Sequence, residues 1–382
     1  MIRLFCIFIG FLFGCLGAIL PTAFADTAQS KNVSQTMNEF MQKYQVPGAA
    51  VVILNHGKSQ IYVFGVANQN TKKPVTADTV FAIGSITKLF TAFLVAEQMS
   101  QGHMKMDDKI TSYLPSFEAN KNFNQMTLLD LVTHAAGFPL TPPDNVQTQD
   151  QIKSYLLKWQ PAYPIGTQWQ YSNIGIELAG EAVQAQNKSS LQRLYEQDIF
   201  SPLHMTKTTI IFTPRLEKAM AQGYDKQGLP MSPTLHSRTP AASAGRSTIR
   251  DLSYFLAAAA ELPKTPQDIQ SAMKMAQTPR ARVDGVGQAF VWQTIALNDK
   301  QFLDAPEEMD LGPTPLTWLP VSSQMYNPTL LIDKTGSADG FRAYIAVIPA
   351  QESGIVILTN RYVSNGAIVN TARKILLDTL QA

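Results

Sequence analysis

Gly48 to Leu54 and Ser59 to Val66 are apolar, β-branched runs joined by Asn55-His56-Gly57-Lys58, a pattern that predicts a β-hairpin. A helix near Ser34 to Tyr44 precedes it. The far end of the chain has the same character, with strand-like runs at Thr329 to Asp333, Phe341 to Ile348 and Gly354 to Thr359, and a final helix over about Ala367 to Leu380. Between these ends the apolar spacing is helical, at Leu128 to Thr133, Gln149 to Trp159, Asn173 to Gln186, Ser190 to Ile199 and Thr248 to Ala260. Proline-rich loops such as Pro139 to Pro143 and Ser232 to Pro240 interrupt the helices. In Phe81 to Phe90 a glycine and a serine open a helix, expected to be amphipathic, that runs to about Gln101.

The strands at both ends of the chain lack partners nearby in sequence. Joining them predicts an α/β (α+β) fold: a mainly antiparallel sheet flanked by the terminal helices, with a second, mostly helical lobe. The sheet lobe is expected from about 26–82 and 290–382 and the helix-rich part from about 83–289, with the active site in the cleft between them.

Length and composition fit that picture, since 382 residues at 45% hydrophobic content can bury a large core. Met1-Ile2-Arg3, the apolar run Leu4 to Leu20 and Ala23-Phe24-Ala25 read as a secretory signal, residues 1–25, leaving 26–382 as the mature chain. That chain carries 30 basic against 29 acidic residues and no basic tract, so nucleic acid is not an expected partner. Both cysteines, Cys6 and Cys15, fall inside the leader, which excludes disulfides, thiol catalysis and cysteine-bound metal from the mature protein. The five histidines (His56, His103, His134, His204 and His236) are scattered without metal-ligand spacing, so no metal is expected.

Serine needs a base, and Lys88 lies three residues after Ser85, on the same face of a helix one turn above it. Ser271-Ala272-Met273-Lys274 repeats the spacing, so spacing alone does not choose between them. Tyr171-Ser172-Asn173 is the chain's only Tyr-x-Asn: a phenol can relay a proton when nearby cations lower its pKa, and an asparagine amide can bind an amide substrate. The bland reading is a buried tyrosine and a helix-capping asparagine. Lys334-Thr335-Gly336-Ser337 ends a predicted strand; it is either a solvated edge and turn, or a carboxylate-binding pair whose Ser337 N–H joins that of Ser85 in an oxyanion hole.

Taken in this order, the three motifs resemble the serine β-lactamase and penicillin-binding-protein superfamily, and Tyr-Ser-Asn in the middle place resembles class C. The likeness extends over nearly all of the mature chain, including Trp159 to Tyr163, Gly166 to Gly180 and Lys334 to Leu358. It implies a periplasmic monomer without metal or organic cofactor that acts on β-lactams and leaves the membrane once the leader is cleaved. Ser85 would attack the lactam carbonyl, with Lys88 and Tyr171 sharing the base and acid duties. Asn173 would hold the substrate's amide side chain, Lys334 and Thr335 would face its carboxylate, and Asn365 would make an outer contact. Ser271, which follows both partner motifs, becomes the decoy.

Three positions depart from the class C pattern: Thr141 where a glutamine is usual, Ser243 in place of a tyrosine, and Ile368 where an arginine often stands. They are expected to line the side-chain and carboxylate ends of the site. A penicillin-sensitive carboxypeptidase or esterase would share Ser85, Lys88 and Tyr171 and differ in deacylation speed. A non-catalytic penicillin-binding sensor would acylate once.

Overall fold

A computed structural model describes residues 28–232, 237–298 and 304–381; the leader assigned to 1–25 lies outside them. The hairpin forms where the pattern puts it, Gly48–Asn55 against Lys58–Asn68, with Asn55 opposite Lys58. The two residues between, His56 and Gly57, have φ of 44° and 77°. This left-handed pair gives the turn whose twist matches that of the strands.

Gly48–Asn55 pairs on its other edge with Ser353–Thr359, Ala49 opposite Thr359, so the two ends of the chain meet in one sheet. Phe341–Ile348 and then Leu331–Ala338 follow, all antiparallel. Among the described residues the sheet has eleven strands, and its far edge takes short strands from the middle of the chain, among them Gln168–Trp169 and Ala281–Val283. Runs of two or three residues carry no readable periodicity, which is why the sequence did not announce them.

Both faces of the sheet are covered. Along the first strand Val51 and Ile53 enter the core under the terminal helices Ala28–Tyr44 and Asn365–Gln381, while Ala50, Val52 and Leu54 enter the core under the middle helices. A strand buried on both sides reads as a continuous apolar run, as this one does.

Two expectations are corrected. The strand expected at Thr329 to Asp333 runs from Leu331 to Ala338, so Lys334-Thr335-Gly336 lies within it and not at its end. Gly336 pairs with Ala343 and Ser337 with Arg342; tertiary pairing overrides the poor strand propensity of glycine and serine. The helix Thr87–Ser100 is not amphipathic, because every residue from Thr87 to Met99 is buried. It is the central helix of the larger core, with Phe90 edge-on to Phe200 and Phe255 at centroid distances of 5.2 and 5.0 Å.

Candidate active site

Ser85 sits in a single 3₁₀ turn, Gly84–Ile86, that leads into this helix. The turn is fixed from outside. Thr87 Oγ1 donates to the Gly84 carbonyl at 2.5 Å and accepts the Gly245 N–H at 2.8 Å, while Ile83 N–H donates to the Gly245 carbonyl at 3.0 Å. The strand Leu331–Ala338 presses directly on the turn, and two glycines allow it. A Cβ on Gly84, whose φ is +50°, would lie 2.1 Å from the Ser337 carbonyl, and one on Gly336 would lie 2.2 Å from the Ile83 carbonyl. Only bare backbone fits this approach, which lays the Ser337 backbone beside the serine turn.

The expected helical spacing brings Lys88 to the serine: its Nζ lies 2.9 Å from Ser85 Oγ, 2.6 Å from Asn173 Oδ1 and 2.9 Å from the Ala242 carbonyl. Lys88 is completely buried. Burial pushes its pKa well below the usual lysine value, Lys334 adds to the push, and Glu177 opposes it.

Tyr171 lies between two lysines, with Lys88 Nζ 4.8 Å and Lys334 Nζ 5.0 Å from its ring centroid. The expectation that flanking cations lower the phenol's pKa is reversed. Burial pushes it up, by more than the neighbouring Ser85 hydroxyl draws it down. Its hydroxyl makes no well-formed hydrogen bond among the described residues, which leaves its proton free for an incoming group. The same burial draws Lys334 down to about 7, against the pull of Asp333. A lysine so discharged is a weak stabiliser of phenolate.

Asn173 is not the helix cap of the bland reading. Ser172 takes that role, accepting the Gly175 N–H at 3.2 Å and donating to the Pro139 carbonyl at 2.8 Å. The Asn173 amide side chain is thereby left for the site, and its backbone N–H donates to the Leu140 carbonyl at 2.8 Å, one residue before the exposed Thr141. Thr335 and Asn365 line one cavity of about 330 Å³ with Trp169, Asp310, Asp333 and Arg373. Exposed Ser337 and half-buried Ser243 line a second, of about 170 Å³, that also reaches Ala82.

Ile368 is corrected. It is 1% exposed inside the core beneath the final helix and does not line the carboxylate end. Ser271 is exposed and bonds its own helix at the Gln267 carbonyl, and Lys274 pairs with Glu261 at 3.0 Å. That copy of the motif assembles nothing.

Sequence reasoning missed several groups. His134 is buried with its ring 4.5 Å from that of Tyr171, and its Nδ1 accepts the Ser172 N–H at 3.3 Å. Burial, then Lys88 and Lys334, push its pKa well below the usual value, so it is a neutral wall beneath the phenol. Nothing local marks it out. Asp333 and Arg373 form a buried ion pair of 2.6 Å immediately behind Lys334, and both bond the Tyr344 hydroxyl. A signal did exist here, a charged residue at the apolar spacing of the final helix and another inside an apolar strand.

A serine hydrogen-bonded to a buried lysine in the first turn of the helix that follows it, with a tyrosine and a second lysine closing the cleft, defines a serine acyl hydrolase of the β-lactamase and DD-peptidase fold. The Beta-lactamase family model matches residues 33–379. A β-lactamase of Pseudomonas fluorescens is 33% identical over 351 residues, 90% of this chain and 97% of that one. A solved β-lactamase/D-alanine carboxypeptidase from Pseudomonas syringae superposes with a TM-score of 0.87 at 29% identity, covering 92% of this chain and 99% of the other. A class C β-lactamase solved in complex with cefoxitin gives 0.86 at 28% identity, covering 92% and 98%. The chain belongs to the β-lactamase family, as a serine enzyme of the class C type.

Proposed function

We propose that the protein is exported by its 1–25 leader to the periplasm, where as a monomer it opens the β-lactam ring of cephalosporins and penicillins through an acyl-enzyme on Ser85 and so confers resistance. The observation that carries this reading is the contact of 2.9 Å between a buried Lys88 Nζ and Ser85 Oγ.

A neutral amine has two N–H donors and one lone pair. The surroundings of Lys88 match that count, with two pure acceptors in Asn173 Oδ1 and the Ala242 carbonyl, and one hydroxyl in Ser85. Lys88 therefore takes the serine proton as Ser85 Oγ attacks the lactam carbonyl. The backbone N–H groups of Ser85 and Ser337 receive the developing oxyanion. Tyr171, a phenol that keeps its proton, passes it to the lactam nitrogen as the C–N bond breaks, and is resupplied from Lys88. Water then attacks the acyl carbonyl, gives its proton back through the same pair, and releases Ser85.

Asn173 and Thr141 bind the acylamido end of the substrate. Lys334, Thr335 and Asn365 bind its carboxylate end. The test is turnover of a chromogenic cephalosporin in large excess by residues 26–382. Ser85→Ala should remove activity by several orders of magnitude and Ser271→Ala should change it less than about threefold; the reverse pattern sinks the assignment.

The second reading, a D-alanyl-D-alanine carboxypeptidase or esterase, draws support from the bifunctional title of the Pseudomonas syringae neighbour. It requires slow deacylation by β-lactams with hydrolysis of a D-alanyl-D-alanine peptide. A single stoichiometric burst on both substrate types would instead mark a penicillin-binding sensor.

A further inference from the structure

The chemistry above leaves one buried carboxyl beside the site unused. Glu177 lies one helical turn beyond Asn173, on the same face, and is 8% exposed. It accepts the Ala241 N–H at 2.7 Å. That N–H belongs to the short helix Pro240–Ser243, whose next two carbonyls face the nucleophile helix: Ala241 O accepts from Thr91 Oγ1 at 2.6 Å and Ala242 O from Lys88 Nζ at 2.9 Å. Two residues of backbone thus link the carboxyl of Glu177 to the amine of Lys88.

We propose that Glu177 is a positioning residue of the acylation step: through the backbone of Ala241 and Ala242 it holds Lys88 against Ser85. The inference rests on the assignment of Lys88 as the base of that step.

The role needs a hydrogen-bond acceptor for Ala241 at this position and no charge on it. Burial and Glu181 push the Glu177 pKa well above the carboxylate range, while the Ala241 N–H and Lys88 hold it down; Glu177 in turn pulls Lys88 up against burial and Lys334. The other groups around the pair come from separate elements. Glu181 is on the same helix and is tempered by Lys153, and Tyr195 bonds Thr91 Oγ1 from the next helix. Tyr171, His134 and Lys334 approach from the opposite side, around the phenol. The short helix Pro240–Ser243 brings no titratable group.

The test compares Glu177→Gln, which keeps a carbonyl acceptor for Ala241, with Glu177→Ala, which removes it. Pre-steady-state acylation of Ser85 is followed against pH with p-nitrophenyl acetate and with the cephalosporin, alongside thermal melting. The ester reports on Lys88 whatever the natural substrate, so a protein that is acylated by the ester yet fails to turn over the β-lactam contradicts the substrate assignment and leaves this reading standing.

For the glutamine variant we expect an unchanged melting temperature and ester affinity. Its acylation rate and pH profile should stay within about twofold of the wild type, because the amide oxygen still accepts from Ala241. The alanine variant should lose about tenfold more in acylation rate as Lys88 drifts from Ser85. A glutamine variant as slow as the alanine variant overturns the proposal, as does an alanine variant whose loss only tracks its folded fraction.

Discussion

At the scale of single residues, burial outweighs charge in setting what each group can do. Tyr171 stands between two lysines and still keeps its proton, because burial excludes water from the phenol and also weakens the charge on both lysines. Lys334 carries a testable consequence. Its folded-state value of about 7 lies below the usual lysine value, so it is charged below pH 7 and neutral above. In the role proposed for it, its hold on a substrate carboxylate is lost as pH rises through that value. The kcat/KM for a cephalosporin bearing a carboxylate should therefore decline above about pH 7. Lys334→Arg, which stays charged, should extend the plateau upward. Stopped-flow profiles of the two proteins decide it, and an alkaline limb that does not move belongs to another group.

At the scale of elements, the strand Leu331–Ala338 works on both sides. Toward the cleft it presents Lys334, and behind it Asp333 is locked to Arg373 of the final helix and to Tyr344 of the neighbouring strand. Arg373→Met strands a buried carboxylate and should cost about 3–5 kcal/mol in denaturant unfolding. Adding Asp333→Asn removes that charge yet still accepts from Tyr344, and should recover most of the loss, to within about 1 kcal/mol. Costs that simply add would show that the pair is not coupled. The spacing of Ser85 and Lys88 was legible because a helix fixes it locally; the buried pair left only a faint trace, a charge on an apolar face.

At the scale of the whole molecule, the chain closes on itself: Gly48–Asn55 and Ser353–Thr359 lie side by side, so the first and last thirds of the chain form one sheet over which the helical middle folds. Among the described residues no helix is long and apolar enough to cross a membrane, and no three His, Cys, Asp or Glu side chains are grouped to hold a metal. With both cysteines, Cys6 and Cys15, lying before residue 26, neither a chelator nor a thiol reductant should change the turnover rate or melting temperature of residues 26–382. Loss of activity with either reagent would contradict the metal-free, disulfide-free reading.

The sequence by itself determined the features that depend on neighbours along the chain. These are the Asn55 to Lys58 turn, the helical spacing of Ser85 and Lys88, the three motifs in their order, and the apolar runs that become the central strands. Only the tertiary structure decided which Ser-x-x-Lys engages partners, since Ser271 and Ser85 are locally alike and only Ser85 meets Tyr171, Asn173 and the strand bearing Lys334. It also decided that the helix Thr87–Ser100 is buried all round, that Ile368 turns into the core, and that His134, Glu177 and the Asp333–Arg373 pair surround the site. Each of these depends on which groups lose water and which charges then face each other. That is settled by contacts between residues tens to hundreds of positions apart, where no local pattern reaches.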